Sequence, residues 1–386
     1  MTAAGPAGGS PADGAGLPPL FTPFTLKGVT FRNRIVVTPM CQYAAVDGHA
    51  IRWHRAHHGR FALSGVGGAL VESTGVSAEG RITPGCLGIY DPAHVEGLAR
   101  IVAIYRDQNI PVGIQLNHAG RKASADVPLA GAAPFAADDP RAWRIVAPSA
   151  VPLIDGWPTP HALTEPEILA IIDDFERAAI RAVAAGFDFV EIHGAHGYLL
   201  NSFFSPISNH RDDRWGGSAE NRMRLPLDIA RRLRAAIPAN MPLFYRLSAV
   251  DGIEGGLGIE DNVALAAALR DAGVDIIDCS SGGIAGASGG STVKPGPGYL
   301  VPFADQIRRE AAMPVMAVGL IFEPVQANAV IADGHADLVA MGRQLLAEPS
   351  FPYRAAITLE HPDANSVLPD AYSFFLRRRP VEPRRD

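Results

Sequence analysis

The chain has 386 residues, 47% hydrophobic and 19% charged, enough for one large core or two modest domains. Its formal net charge of −6 and pI near 6.1 give no electrostatic case for nucleic acid or an anionic membrane surface as partner. Cys41, Cys86 and Cys279 are widely spaced and odd in number, which excludes a disulfide framework and a CxxC zinc or iron–sulfur site and suits a reducing, cytoplasmic setting.

Residues 1–19 are mostly Ala, Gly and Pro without the basic region and apolar run of a signal peptide, and read as a disordered tail. No apolar stretch is long enough to span a bilayer. From residue 20 onward one motif repeats, a short apolar or β-branched run followed by a helical pattern. The runs cover residues 35–37, 69–72, 112–116, 187–192, 243–247, 276–279, 315–318 and 338–341. Helical patterns fall over 54–63, 94–108, 165–185, 220–237, 259–272, 302–310 and 323–332, with a last one from Arg343. Thr164 with Glu167 three residues on has capping-box spacing, and Pro166 sits in the first turn, where a missing N–H costs little. Gly186 and Gly273 stop two helices in near-identical junctions, Ala185-Gly186-Phe187-Asp188 and Ala272-Gly273-Val274-Asp275.

Eight such units predict an α/β fold, a (β/α)8 TIM barrel over residues 20–365, with its chemistry at the C-terminal strand ends. A doubly wound open sheet is the alternative, weakened because no Gly-rich fingerprint follows the first strand. The segment between Leu116 and Thr164 is roughly fifty residues and leaves a strand's C-terminal end, so it reads as a lid, a hairpin excursion or a disordered stretch over the barrel mouth. Residues 366–386 form a separate C-terminal segment.

The strand ends carry the chemistry. The fourth closes on Glu191-Ile192-His193-Gly194-Ala195-His196-Gly197-Tyr198, where two imidazoles and a phenol converge. Three donors without a carboxylate nucleophile suit the binding of a carbonyl oxygen that gains negative charge. Two core histidines satisfied by backbone are the plainer reading; a zinc pair lacks a third ligand at a known spacing. Cys41 follows the first strand, where a cysteine is more often a small buried hydrophobe than a reactive group. Gln115 ends the third strand with an amide that both donates and accepts. Arg246 lies on an apolar fifth strand and needs a partner, either a protein carboxylate, for which Glu72 on the second strand is a candidate, or an anionic ligand. Gly319 and Gly342 follow strands seven and eight, and Arg343 opens a helix; that combination reads as a phosphate cradle. Together these groups suit a phosphorylated planar heterocycle with reducible electronics.

In its motifs the chain resembles the old yellow enzymes, FMN-dependent ene-reductases, and within them the bacterial thermophilic-like, Cys-bearing branch. The matching segments are Leu20-Phe21-Thr22-Pro23, Asn33-Arg34-Ile35, Pro39-Met40-Cys41-Gln42-Tyr43, Gly113 through Lys122, Ile192 through Leu199, Ser205 through Arg222, Asp278-Cys279-Ser280-Ser281-Gly282 and Met341-Gly342-Arg343. The resemblance implies FMN as cofactor and NADPH or NADH as reductant. It implies that Gln115 and Arg246 meet the flavin pyrimidine, that Pro39, Met40 and Ser73 line the ring, and that Cys41 adjusts its potential. Gly283, Gly319, Gly342 and Arg343 would hold the phosphate. His193 and His196 would bind the oxygen of an enone or enal, Tyr198 would protonate its α-carbon, and Tyr43 would assist at the oxygen. The implied reaction is ping-pong hydride transfer to an activated C=C bond. A homodimer or homotetramer is expected from the resemblance, with a C-terminal segment that in this branch can enter a neighbour's active site. Ser73 replaces a common Ala, Trp215 a common Tyr, and the 123–160 loop is longer than in compact members. Rival readings are the same scaffold run oxidatively as a desaturase, a non-catalytic FMN-binding protein, and a metal hydrolase at His193 and His196.

Overall fold

The computed structural model describes residues 16–285 and 293–379. The expected tail over 1–19 lies largely outside the described residues, as does the end of the C-terminal segment after 379. Eight strands form a closed barrel: β1 (Ile35–Val37), β2 (Gly68–Gly75), β3 (Val112–Asn117), β4 (Phe189–Gly194), β5 (Leu243–Ser248), β6 (Ile276–Ser280), β7 (Val315–Ala317) and β8 (Leu338–Met341). All neighbours run parallel, and β8 pairs with β1 to close the ring. The (β/α)8 barrel is therefore the fold, and the open-sheet alternative falls. The pairing of β2 with β3 shifts between Val71 and Thr74, a bulge that re-aims the side chains after it.

The helices are α1 (Arg52–Ala62), α2 (His94–Arg106), α3 (Glu165–Ala185), α4 (Leu199–Phe204), α5 (Ala219–Ala236), α6 (Ile259–Asp271), α7 (Val301–Glu310), α8 (Pro324–Ala332), α9 (Arg343–Ala347), α10 (Phe351–Thr358) and α11 (Asp370–Leu376). The Glu167 carboxylate accepts the Thr164 backbone N–H at 2.8 Å, and Gly186 ends α3 at φ 89°. The helix expected from Arg343 stops after five residues, and Pro352 sits in the first turn of a new one, where its absent N–H is not missed. In α11, Phe374 and Phe375 are 52% and 69% exposed.

Strands buried on both faces need two apolar fillings. The outward faces and the helices form the main core. Inside the barrel, Val36, Leu70, Phe189, Phe244, Ile276, Met316 and Leu338 pack with Phe31. Phe189 and Phe244 stack at 4.6 Å between centroids, and a side chain at Gly113 would run into the Phe189 ring. Phe31 belongs to a hairpin, Phe24–Leu26 with Val29–Phe31, that stoppers the N-terminal end of the barrel. Lys27 pairs with Asp275 at 3.0 Å and the Gly28 N–H with the Asn240 carbonyl at 2.9 Å. The long β3–α3 connection is ordered: it carries short 3-10 turns and a parallel pair of two-residue strands, Val146–Ala147 and His161–Ala162.

Candidate active site

His193 ends β4, and the chain turns at once through His196 at φ 60° and Gly197 at φ 73°. A left-handed non-glycine residue is uncommon and needs surrounding support. The His196 N–H donates to Ser248 Oγ at 2.9 Å, the Gly197 N–H to Asn201 Oδ1 at 2.7 Å, and Lys122 Nζ to the His196 carbonyl at 2.8 Å. Lys122 also reaches the Gly283 carbonyl at 3.2 Å, and its ammonium lies 5.2 Å from the centre of the Tyr198 ring. His193 Nδ1 accepts the Ala195 N–H at 3.2 Å, which puts the imidazole proton on Nε2. His196 Nε2 meets Ser280 Oγ at 2.6 Å. The His193 ring centre is 5.1 Å from that of His196 and 4.8 Å from that of Tyr198.

Burial and neighbouring cationic groups push both imidazoles well below the ordinary histidine range, so they meet a ligand as neutral donors. Burial, with Cys41 and Tyr43 nearby, pushes the Tyr198 phenol well up. Burial brings Lys122 down to about 8. Beside the first strand, Cys41 lies against Glu72 and Tyr43; burial and the Glu72 carboxylate push its thiol well up, which suits a neutral packing group. These neutral histidines set a pH dependence. His118, brought down to about 4 by burial, joins His193 and His196 in refusing protons that the unfolded chain accepts below its ordinary value. The histidine contribution to stability is therefore full above about pH 6.5 and falls below it, with His118 alone contributing a loss of roughly 2 kcal/mol by pH 5. Denaturant titrations at pH 7 and pH 5 check this; equal midpoints would contradict it.

Below the histidines, one layer above the phenylalanines, four polar side chains point inward: Gln115, Glu191, Arg246 and Asp278. Each stands two residues beyond an inward position, Gly113, Phe189, Phe244 or Ile276. Gln115 Nε2 donates to Glu191 Oε1 at 2.7 Å. Arg246 Nε lies 3.3 Å from Asp278 Oδ2, and its Nη1 donates to Thr38 Oγ1 at 3.1 Å. The partner of Arg246 is thus a protein carboxylate, but not Glu72. The β2 bulge turns Glu72 away; it accepts the Gln42 N–H at 2.8 Å and lies 3.4 Å from His54 Nε2 on α1.

Two cavities open at this end. One, of about 470 Å³, runs from Arg246 and Thr38 past Met40 and Ser280 to Gly319, Gly342 and Arg343. At Gly342 a Cβ would lie 2.9 Å from Thr38 Cγ2, and at Gly319, φ 120°, 3.0 Å from Leu300 Cγ. Arg343 has no ion pair among the described residues. A long group with an anionic end fits this trough: backbone lines it where side chains are missing, a free cation stands at one end and a buried cation at the other. Gly283 does not line it; its backbone packs on His196. Pro39, Cys41, Ser73 and Gln115 are not part of its lining. The other cavity, of about 500 Å³, is bounded by Tyr43, Thr83, Lys122 and the long loop through Pro128, Leu153, Ile154 and Trp157.

Residues 19–361 match the model of the NADH:flavin oxidoreductase / NADH oxidase family. The chain belongs to this family. It is 43% identical over 339 residues to an NADPH dehydrogenase of Geobacillus sp. (strain WCH70), covering 87% of this chain and 93% of that relative. Among solved structures it is similar to morphinone reductase, at 27% identity and TM-score 0.74 over 88% of this chain and 90% of the other. It is likewise similar to the old yellow enzyme homologue from Zymomonas mobilis, at 28% identity and TM-score 0.72 over 92% of this chain and 98% of the other. The chain is an old yellow enzyme, an NAD(P)H-dependent flavin oxidoreductase with FMN as cofactor. The trough with its two cations and glycine floor fits FMN. Among the described residues no helix is long and apolar enough to cross a membrane.

Sequence reasoning named neither Thr38, Lys122, Glu191, Ser280 nor Asp278 as a site residue. Lys122 and Ser280 lie inside motifs quoted for the family, so position at a strand end was the available signal. Glu191 and Asp278 stand in runs buried on both faces, where no alternation marks an inward polar residue.

Proposed function

We propose that this old yellow enzyme reduces the activated C=C bond of an α,β-unsaturated carbonyl compound with NADPH or NADH as reductant. The observation that carries this is the convergence of two neutral imidazoles and a phenol at the end of β4, over a barrel that holds a buried arginine. Bound FMN supplies the hydride relay between nicotinamide and alkene. Gln115 and Arg246 would hold its pyrimidine edge, Pro39, Met40, Cys41 and Ser73 would flank its ring, and Gly319, Gly342 and Arg343 would take its phosphate. Gly283 would act at one remove, by seating the His196 turn. His193 and His196 would donate to the substrate oxygen, and these bonds strengthen as charge develops there. Tyr43, on the rim of the apolar cavity, would steady the same oxygen while the hydrophobic remainder lies under the long loop.

Tyr198 would protonate the α-carbon. Its raised pKa keeps the phenol protonated over the working range, which suits a donor to a strongly basic enolate carbon. Tyr198→Phe is expected to slow alkene reduction ~10²–10⁴-fold, the usual worth of a general acid, with FMN still bound. Rapid-mixing of the reduced variant with cyclohexenone checks this, and parental rates would move the proton source elsewhere. The reading as a whole is tested by the anaerobic visible spectrum. NADPH should bleach the flavin and cyclohexenone should restore it with formation of cyclohexanone; bleaching without restoration would sink the ene-reductase assignment.

A further inference from the structure

Glu191 and Asp278 present more negative charge than the barrel interior balances. Both are 0% exposed. Glu191 on β4 and Asp278 on β6 flank Arg246 on β5, and each carboxyl perturbs the other across the buried space between them. The groups facing them are Gln115 from β3, which satisfies only Glu191 Oε1, and Arg246, whose ion pair is with Asp278 and whose charge is also felt at Glu191. Among the described residues no hydrogen-bond donor satisfies Glu191 Oε2 or Asp278 Oδ1, and Asp278 Oδ2 has only the 3.3 Å ion-pair contact with Arg246 Nε. Two ionised carboxylates beside one guanidinium in full burial would leave an uncompensated charge, a costly arrangement.

We propose that Glu191 and Asp278 share one proton, carried on Glu191 and donated to Asp278, and that this proton keeps the floor of the flavin site neutral. One anion then balances Arg246, and no surplus negative charge opposes the charge a reduced flavin gains at its pyrimidine edge. The two carboxyls are positioning residues; neither lines the trough, and Asp278 meets it only through Arg246. Their neighbourhood supports the placement of the proton. Burial and the Asp278 carboxylate push the Glu191 carboxyl well up, while Arg246 and the Glu191 hydrogen bond oppose the rise at Asp278. The inference is independent of which oxidant takes electrons from the flavin. It rests on the placement of the pyrimidine edge at Arg246 for its effect on potential, but not for the shared proton itself.

The test combines infrared spectroscopy of the holoenzyme with potentiometric titration of its flavin. The parent should show one protonated-carboxyl C=O band that shifts in D2O. Both Glu191→Gln and Asp278→Asn should lose that band, because the remaining carboxyl ionises to balance Arg246. For the same reason each single variant should hold the flavin potential within a tenfold change in the reduction equilibrium, ~30 mV for a two-electron couple. The double variant, which has no anion there, should favour reduced flavin by tenfold or more. A parent without the band, or single variants that each favour reduction by tenfold or more, would show both carboxyls ionised and overturn the shared proton. A double variant with the parental potential would leave the proton but overturn its role toward the flavin. Should one single variant fail to fold, the difference spectrum of the other against the parent still decides the first point, since Glu72 and Asp251 are also buried carboxyls and only loss of the band assigns it to this pair.

Discussion

A chain carrying His193→Ala and His196→Ala together is expected to keep its FMN and to lose alkene turnover. The two imidazoles stand on one turn, 5.1 Å apart, and both are held neutral. Removal of one donor to a developing oxyanion typically costs ~10²–10³ in rate. Donors that act on one atom are not additive, so the pair is expected to cost at least as much as either alone. The flavin should stay because neither histidine lines the trough that takes it. Flavin content from the visible spectrum and steady-state reduction of cyclohexenone measure the two halves of this result. Parental turnover in the double variant would place the substrate oxygen elsewhere; loss of flavin would mean that the β4 turn builds the trough. His196 also meets Ser280, so the His193→Ala single variant, which leaves that contact intact, gives the cleaner number.

Arg246→Met is expected to be the most damaging single change in the barrel wall. Arg246 as a whole is 7% exposed, and its guanidinium is the ion-pair partner of a fully buried carboxylate. Breaking a buried pair by removing one member typically costs ~3–5 kcal/mol, since the other charge stays behind without compensation. The same cation faces the trough, so FMN should fall away as well. The expected result is colourless protein with a lowered denaturation midpoint. Arg246→Lys should be intermediate, because an ammonium restores the charge but not the fork that spans Asp278 and Thr38. Full flavin content with an unshifted midpoint in Arg246→Met would remove the arginine from both roles.

The barrel was legible in the sequence because its strands are apolar runs and its helix stops are glycines that must take a left-handed φ, as Gly186 and Gly273 do. The residues at strand ends were legible for a related reason: in this architecture position along the strand already implies direction. What sequence could not supply was pairing across the interior. Arg246 needed an anionic partner, a protein carboxylate or a ligand, and Glu72 was the carboxylate named for it, whereas the structure pairs it with Asp278. A one-step slip in β2 decided between them, and such a slip leaves no mark in the order of residues. The roles of Lys122 and Ser280 stayed hidden because each acts on the turn at His196, a segment about eighty residues away in the chain. The stoppering hairpin was missed because its strands are three residues each, too short to show a period.

That small hairpin has a consequence for traffic. With Phe31 lodged under Phe189 and Phe244, the described residues close the lower end of the cylinder, and the trough and the apolar cavity both open above the strands. Under the proposed function, donor and acceptor of electrons would enter from that one side and would have to queue. Excess of either one should exclude the other, a self-imposed turnstile that arises from plumbing rather than from any dedicated gate.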